Sequence, residues 1–222
     1  MKRTRDLPEL LSPAGDMEAL RAAIAGGADA IYVGGLRFGA RAYAKNFSED
    51  ELRAAVRLCH VHGVRLYVTL NTLIFDKEIN DALEYARLLY EIGVDALIAA
   101  DVGVAALIRK ELPGLELHAS TQMGAHNTEG VNFAHGLGLT RVVLARECSI
   151  ADIRKITAES RAECEVFLHG ALCVCHSGQC LFSSMVGGRS GNRGECAQPC
   201  RILLKGSKVA SLSFMQKQRL KI

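Results

Sequence analysis

Long apolar runs are missing from this sequence, and their absence excludes one class of protein. A membrane-spanning helix needs about 20 consecutive apolar residues, and no stretch of the 222 residues approaches that length. The basic start of the chain, residues 1–6, is not followed by the apolar run of a secretory signal peptide. We therefore expect a cytoplasmic protein without a membrane partner, in a compartment where disulfides are rare.

Acidic residues are missing from residues 201–222, which hold six basic ones: Arg201, Lys205, Lys208, Lys217, Arg219 and Lys221. The rest of the chain holds 21 basic and 24 acidic residues, so the body is mildly acidic. Charge alone therefore does not indicate nucleic-acid binding. The length fits a single domain, and the composition is ordinary for a soluble globular protein. We assign residues 1–200 to that domain and residues 201–222 to a basic tail.

Helical segments alternate with apolar runs along the chain. Apolar residues recur at helical spacing in several segments, and Ser48 with Glu51 predicts a capping box at the start of one of them. Seven apolar runs are typical of buried strands: residues 10–11, 30–33, 66–70, 96–99, 117–119, 142–145 and 166–168. Such alternation predicts an α/β fold with a parallel sheet, and its regularity favours a (β/α) TIM-type barrel over an open sheet.

An eighth strand is not evident. Beyond Cys200 the apolar runs at 202–204 and 209–214 are separated by turn residues and are followed by the basic end. We predict a barrel in which the eighth strand is missing or atypical. An unpaired sheet edge promotes association, so we expect either a homodimer or a partner chain that completes the barrel.

Five of the eight cysteines fall within residues 173–200, in a loop rich in Gly and Ser after the seventh strand. Thiols crowded in a loop indicate ligands for a soft metal or a cluster. The alternative is a set of free thiols that pack as small hydrophobes. That alternative suits Cys59, Cys148 and Cys164, which lie in helical or strand patterns, better than it suits the loop cysteines.

Polar residues follow the predicted strands at their carboxyl ends. Our candidate catalytic residues among them are Asn71, Gln122, Arg146 and His169. The carboxyl ends of parallel barrel strands meet at one rim, so we expect these side chains to share a cavity with the cysteine loop. Asp16 and Asp101 follow strands as well, and for these two helix capping is the alternative.

Four blocks of this sequence resemble peptidase family U32, the collagenase-like proteases. They are Glu9-Leu-Leu-Ser-Pro-Ala-Gly-Asp16, Gly27-Ala-Asp-Ala-Ile-Tyr-Val-Gly34, His118-Ala-Ser-Thr-Gln122, and a final block at residues 165–183. The final block is the most specific, with Glu-x-Phe-x-x-Gly-Ala-Leu-Cys, then Gly-x-Cys, then Ser183. Phe182 stands where the family more often has an aliphatic residue. The resemblance covers most of the chain.

The resemblance implies more than the spacing does. It implies an iron–sulfur protein that hydroxylates a pyrimidine of tRNA or rRNA, or a quinone precursor, without oxygen, with prephenate as co-substrate in the RNA cases. The Gly-Gly-Arg-x-Gly-Asn-Arg-Gly run at 187–194 is most similar to the RNA-modifying branch. The family pattern favours Cys173 over Cys175. With four thiolates as the usual set for a [4Fe–4S] cluster, the candidate ligands are Cys173, Cys180, Cys196 and Cys200.

Three alternatives remain open at this point. Zinc is a competing occupant of four thiolates, although the cysteine spacing is unlike that of common zinc modules. A peptidase would need a thiol–imidazole pair, drawn from Cys173 or Cys175 with His169 or His176. A non-catalytic subunit or inactive fragment is the third, because the family continues beyond the point where this chain ends and no cysteine follows Cys200.

Overall fold

Seven parallel strands form one sheet in chain order in the computed structural model, which describes residues 7–170 and 173–201. The strands are β1 (Leu11–Ala14), β2 (Ala30–Gly34), β3 (Arg65–Leu70), β4 (Ala96–Ala99), β5 (Glu116–Ala119), β6 (Arg141–Val143) and β7 (Glu163–Glu165). The connecting helices are α1 (Met17–Ala25), α2 (Glu49–Val61), α3 (Ile79–Ile92), α4 (Val102–Glu111), α5 (Thr128–Gly136) and α6 (Ile150–Glu159). A seventh helix, α7 (Phe182–Gly187), lies among the cysteines. The predicted TIM-type (β/α) fold is confirmed.

The sheet curls but does not close within the part of the chain that the structure describes. There, β1 pairs only with β2, and β7 only with β6. The apolar runs at 202–204 and 209–214 lie outside the described residues, as does nearly all of the basic tail. No helix among the described residues is both long enough and apolar enough to cross a membrane.

The position of the seventh strand differs from the prediction. The apolar run at 166–168 is exposed, with Leu168 at 89%, and the strand is formed instead by residues 163–165. Strand β6 likewise begins at a charged residue, Arg141, and ends at Val143, where its pairing with Glu165 also stops. Arg141 forms an ion pair with Glu163, its partner in the register of β6 and β7, and a search for apolar runs does not detect such a pairing.

Alternation along the strands produces two apolar layers. Side chains such as Leu66, Val68 and Leu70 point outward and pack under the helices in the larger cluster. The inner cluster comprises Ala30, Tyr67, Ala96 and Ile98, with Leu11 and Tyr32 against it. Small alanines opposite Tyr67 let the ring fill the interior, so the inside of the sheet is a packed core.

A buried charge network lies at the amino-terminal end of the interior. The Arg141 side chain is 8% exposed, and its guanidinium donates to Glu9 at 2.6 Å and to Glu163 at 2.8 Å. Glu9 also pairs with Arg65 and accepts a hydrogen bond from the Tyr67 hydroxyl at 3.1 Å. Since Glu9 precedes β1 and Arg141 begins β6, the network links the two sides of the sheet across its interior.

His118 and Glu116, both on β5, form a second polar contact in this interior. Their nearest atoms, His118 Nε2 and Glu116 Oε1, lie 3.0 Å apart. The hydrogen bond from His118 holds the pKa of Glu116 at about 2. Burial lowers the pKa of His118 by more than Glu116 raises it, so the imidazole is neutral near pH 7. An ionised carboxylate only accepts, so Nε2 carries the proton.

We expect Glu116→Gln to reduce the loss of stability in acid. The folded-state pKa of Glu116 is lowered, so its contribution is present above the unfolded-state pKa near 4.5 and is lost as the pH falls toward about 2. With allowance for solvent screening, this contribution is about 1 kcal/mol. Urea unfolding between pH 2 and pH 6 measures it. The exposed Glu84→Gln on α3 is the control, and equal pH slopes for the two variants would contradict the assignment.

Candidate functional site at the strand carboxyl ends

Residues 173–201, called here the cysteine segment, lie across the carboxyl ends of the strands. The segment is attached on two opposite sides of the sheet, by Ser177 and Gly178 near β5 and β6 and by Arg193 and Gly194 near β2 and β3. Three elements within it have helical geometry: α7 and two short 3₁₀ turns, Gly191–Arg193 and Pro199–Arg201. These attachments fix the position of the segment, and therefore of its thiols, relative to the rim.

Ser177 makes the first attachment. Its hydroxyl accepts a hydrogen bond from Arg146 Nε at 3.0 Å and donates to Glu147 Oε2 at 2.9 Å. Its backbone N–H donates to the other oxygen of the same carboxylate. Burial raises the pKa of Glu147, but the two hydrogen bonds from Ser177 lower it by more. The pKa of Glu147 is therefore below its usual value. The Ser177 side chain is thereby buried between two residues that follow β6.

Gly178 packs directly on the rim. Its φ of 72° is left-handed, and a Cβ at this position would overlap the backbone carbonyl oxygen of Gln122. Only glycine allows so close an approach in this conformation. Gln122, a predicted catalytic residue, is therefore in contact with the cysteine segment through its backbone.

Arg193 makes the second attachment. Its guanidinium binds both oxygens of Glu78, at 2.7 and 3.0 Å, and stands over the Phe75 ring with Cζ 4.6 Å from the centroid. The hydrogen bond from Arg193 is the largest cause that lowers the pKa of Glu78. The next residue, Gly194, accepts a backbone hydrogen bond from Ala42 at 3.1 Å. A paired carboxylate and a stacked ring thus fix this side of the segment.

The Gly-Gly-Arg-x-Gly-Asn-Arg-Gly run at 187–194 has a structural explanation. Both of its arginines lie over aromatic rings of the rim, Arg189 over Tyr43 at 4.5 Å and Arg193 over Phe75. Its glycines include two left-handed positions, Gly188 at φ 67° and Gly194 at φ 85°. The run therefore shapes the segment so that both guanidinium groups reach the rim.

The thiols within the segment are partly gathered. The neighbouring Cys180 thiol is the largest cause that raises the pKa of Cys175, and burial and Cys173 add to this shift. Gly191 lies beside both Cys196 and Cys180, since a Cβ there would make van der Waals contact with the Cys196 side chain and with the Cys180 carbonyl oxygen. Among the described residues, no three His, Cys, Asp or Glu side chains are arranged to hold a metal ion. The donors nevertheless fit a soft metal or cluster, because they are exposed or half-buried thiols.

The four predicted catalytic residues are placed differently. Asn71 holds the loop between β2 and α2, where its Oδ1 accepts from Ala40 N at 2.8 Å. Gln122 and Arg146 touch the cysteine segment through Gly178 and Ser177. The fourth, His169, is exposed and lies beyond the end of β7, which stops four residues before it. The structure therefore brings two of them into contact with the segment and places Asn71 under the loop that the segment contacts, and the catalytic roles of all four stay predictions.

Asp16 and Asp101 cap helices, which was the alternative interpretation of these two residues. Asp16 caps α1 and accepts from Ala19 N at 2.9 Å. Asp101 caps α4 and accepts from Val104 N at 3.0 Å.

Cys148 was expected in a periodic segment but lies in the turn before α6, packed against the core.

Sequence reasoning missed Ser177 and Glu78, which hold the segment in place. The available signal for Ser177 was its position inside the most specific block of the sequence, beside Gly178. Glu78 had no comparable signal, because its partner Arg193 is 115 residues away along the chain.

A cavity of about 370 Å³ lies where the segment meets the loop between β2 and α2. Its lining residues are Leu36, Arg37, Phe38, Gly39, Ala42, Thr72, Glu78, Asp81 and Arg193. The cavity is thus bordered by exposed arginine, by the Arg193–Glu78 pair and by an apolar wall.

Comparison with known proteins places this arrangement among relatives. The model of Peptidase family U32 matches residues 15–217. A 23S rRNA 5-hydroxycytidine synthase of Escherichia coli is 46% identical over 87% of this chain and 29% of its own length. A tRNA hydroxylation protein of Bacillus subtilis is 39% identical over 87% of this chain and 46% of its own length. A collagenase of Porphyromonas gingivalis is 37% identical over 87% of this chain and 49% of its own length. The chain therefore spans less than half the length of each of these three relatives.

Solved structures share the fold. One of a U32 peptidase superposes with a TM-score of 0.62 at 14% identity, covering 75% of this chain and 70% of that chain. Orotidine 5'-monophosphate decarboxylase from Methanocaldococcus jannaschii gives a TM-score of 0.53 at 13% identity, covering 72% of this chain and 77% of that chain. At these identities the likeness concerns the fold alone.

Proposed function

The chain belongs to peptidase family U32, and from that membership and the geometry of its rim we propose that it takes part in oxygen-independent, iron–sulfur-dependent hydroxylation of an RNA pyrimidine. The observation that carries the proposal is the attachment of the cysteine segment to both sides of the rim, through Ser177 and Arg193. It places the thiols at the end of the sheet where barrel enzymes work. Relatives named for rRNA and tRNA hydroxylation support the choice of RNA.

We propose a [4Fe–4S] cluster held by Cys173, Cys180, Cys196 and Cys200, with zinc as the alternative occupant. Bound there, a cluster would supply one-electron redox chemistry. The chain's own residues orient the ligands: Ser177 and Gly178 hold the stretch that carries Cys180, and Arg193 and Gly194 hold the stretch that precedes Cys196. Cys175 lies near Cys180, so its variant belongs in every ligand test.

Prephenate is our proposed co-substrate, and the rim offers an anion-binding group for it. Arg146 Nε donates a hydrogen bond to the Ser177 hydroxyl, but the Arg146 side chain as a whole is exposed. Its planar fork suits a carboxylate. We propose that Arg146 binds a prephenate carboxylate and that the protein works in the cytoplasm, where tRNA and ribosomes are found.

Peptide hydrolysis is the competing function, and the described contacts do not favour it. His176 Nδ1 lies 3.2 Å from Glu147 Oε1, a contact that could orient the imidazole, but no described thiol forms a hydrogen bond with either of its ring nitrogens. His169 is exposed. Within residues 7–170 and 173–201 no thiol–imidazole hydrogen bond is formed.

The test is nucleoside mass spectrometry of tRNA and rRNA from cells that lack the gene. We expect one hydroxylated pyrimidine to disappear, and to return when the wild-type gene is restored, in cultures grown with or without oxygen. Hydrolysis of gelatin by the purified protein is measured in parallel. A full complement of hydroxylated nucleosides in the deletion strain, or metal-independent gelatin hydrolysis, would contradict the proposal.

A further inference from the structure

The loop between β2 and α2 presents cations beside the cysteine segment. Arg37 and Arg41 are exposed, and neither forms an ion pair with another residue in the described part of the chain. The neighbouring basic residues differ, since Lys45 pairs with Asp16 at 3.5 Å and Arg193 pairs with Glu78 at 2.7 Å. Arg37 lies over the Tyr85 ring, with Cζ 5.9 Å from the centroid, and neither its guanidinium nor that of Arg41 is neutralised by a described carboxylate, so both can contact an anionic ligand.

An exposed aromatic ring lies next to these cations. The Tyr43 side chain is 66% exposed, and Arg189 of the cysteine segment stands over it at 4.5 Å. A guanidinium covers one part of the ring and most of its surface faces solvent. Aromatic rings and arginine planes are the surfaces on which unpaired bases stack.

The backbone of this loop is held in one conformation. Ala40 N donates to Asn71 Oδ1 at 2.8 Å, and Asn71 N donates to Phe38 O at 2.9 Å. Asn46 Nδ2 donates to Arg41 O at 3.0 Å, and Phe38 itself is left-handed at φ 53°. A loop that is fixed before binding loses little entropy when a ligand binds.

We propose that residues 36–43 together with Arg189 form a stacking platform for single-stranded RNA next to the target nucleotide. One base stacks on Tyr43, while Arg37 and Arg41 contact phosphates. The platform rests on the proposed function and extends that function, because it names the surface that binds the RNA. It also gives Asn71 a role as the positioning residue of the platform.

RNA binding measured without turnover tests the platform. Fluorescence anisotropy with a pyrimidine-rich single strand of roughly 12 nucleotides is suitable, since site sizes of this class run to about 16. We expect Tyr43→Ala to weaken binding about tenfold, because one stacked base is worth about 1–3 kcal/mol, and Tyr43→Phe to bind like the wild type. The double variant Arg37→Gln/Arg41→Gln is expected to reduce the slope of log K against log salt by about 1.4.

A matched control removes the same charge elsewhere. Arg154 and Lys155 are exposed on α6, and Arg154→Gln/Lys155→Gln is expected to leave affinity unchanged. Because Tyr43 also contacts Arg189, limited proteolysis of each variant checks that the cysteine segment stays attached. The side chains of Arg37 and Arg41 form no hydrogen bonds with the described part of the segment, so their result stands even if Tyr43→Ala detaches it.

The outcomes separate this inference from the proposed function. Wild-type affinity in both Tyr43→Ala and the arginine double variant overturns the platform, whatever the nucleoside analysis shows. Equal binding of an acidic peptide of the same charge, insensitive to Tyr43→Ala, overturns it too, since that is attraction by charge alone. Loss of RNA binding in these variants supports the platform even if the deletion strain keeps its full complement of hydroxylated nucleosides.

Discussion

Replacing Gly178 with alanine is expected to detach the cysteine segment from the β5–β6 side of the rim. The new Cβ would overlap the carbonyl oxygen of Gln122, and that oxygen belongs to the backbone and cannot rotate away. The φ of 72° adds a cost of about 1–2 kcal/mol for any L-residue. Ser177, the adjacent residue, would lose its hydrogen bonds to Arg146 and Glu147. Together these effects come to about 4 kcal/mol or more, a factor of about 1,000 in the attached fraction.

A second glycine of the segment is the matched control. At Gly187, the last residue of α7, a Cβ would meet no atom within 4 Å, and φ is not left-handed. Gly187→Ala is therefore expected to leave the segment attached. Hydrogen exchange across residues 173–180 measures the difference. Equal protection in the two variants would show that the contact with Gln122 does not hold the segment.

Replacing Cys180 with alanine is expected to abolish cluster binding. Cys180 lies between the two attachments and near Cys175, and its backbone carbonyl lies beside Gly191, which is next to Cys196. The same loss is expected for Cys173→Ala and Cys196→Ala. Cys200→Ala is expected to leave a labile cluster with one open iron site. Iron content and visible absorbance after anaerobic purification measure all four variants.

Cys59→Ala is the control for the thiol series. Cys59 is fully buried in α2, and burial raises the pKa of its thiol to about 11, so it stays protonated and packs as a small apolar group. Its replacement is expected to cost some stability and no iron. Equal iron content in Cys180→Ala and Cys59→Ala would contradict the ligand assignment. Cys175→Ala is measured beside them, because full iron retention there separates a neighbouring thiol from a ligand.

The alternation of helices and strands could be predicted because it follows from local sequence. Ser48 and Glu51 form the expected capping box, with contacts of 3.3 and 2.9 Å. The central strands, such as β3 and β4, lie close to their predicted positions because both of their faces are apolar. These features depend on residues near each other in the chain, and that is where sequence patterns carry information.

The edge of the sheet could not be predicted in the same way. Strand β7 is a short charged segment whose Glu163 and Glu165 face Arg141, and the apolar residues that follow it are exposed. A strand held by interior ion pairs has no apolar run to detect. The interior network depends on Glu9 meeting Arg141, which is 132 residues away in the chain.

The sequence indicated which residues lie near the candidate site, but not the contacts that attach the cysteine segment to the rim. The cysteine cluster, the shared rim, and the positions of Gln122 and Arg146 follow from the strand order and from the spacing of thiols. The attachments do not follow, because Gly178 approaches Gln122 through backbone and Arg193 reaches Glu78 from a distant part of the chain. Each depends on how the segment turns after the seventh strand, and that is determined by tertiary packing.

The proposed function depends most directly on what the cysteine segment binds, and metal analysis of the anaerobically purified wild-type protein measures it. We predict iron and acid-labile sulfide in about equal amounts, near four of each per chain, with the broad visible absorbance of an iron–sulfur cluster. The Gly178→Ala protein, prepared identically, is predicted to have lost most of both. One zinc per chain without sulfide, or metal-free thiols that react freely with an alkylating reagent, would contradict the central claim.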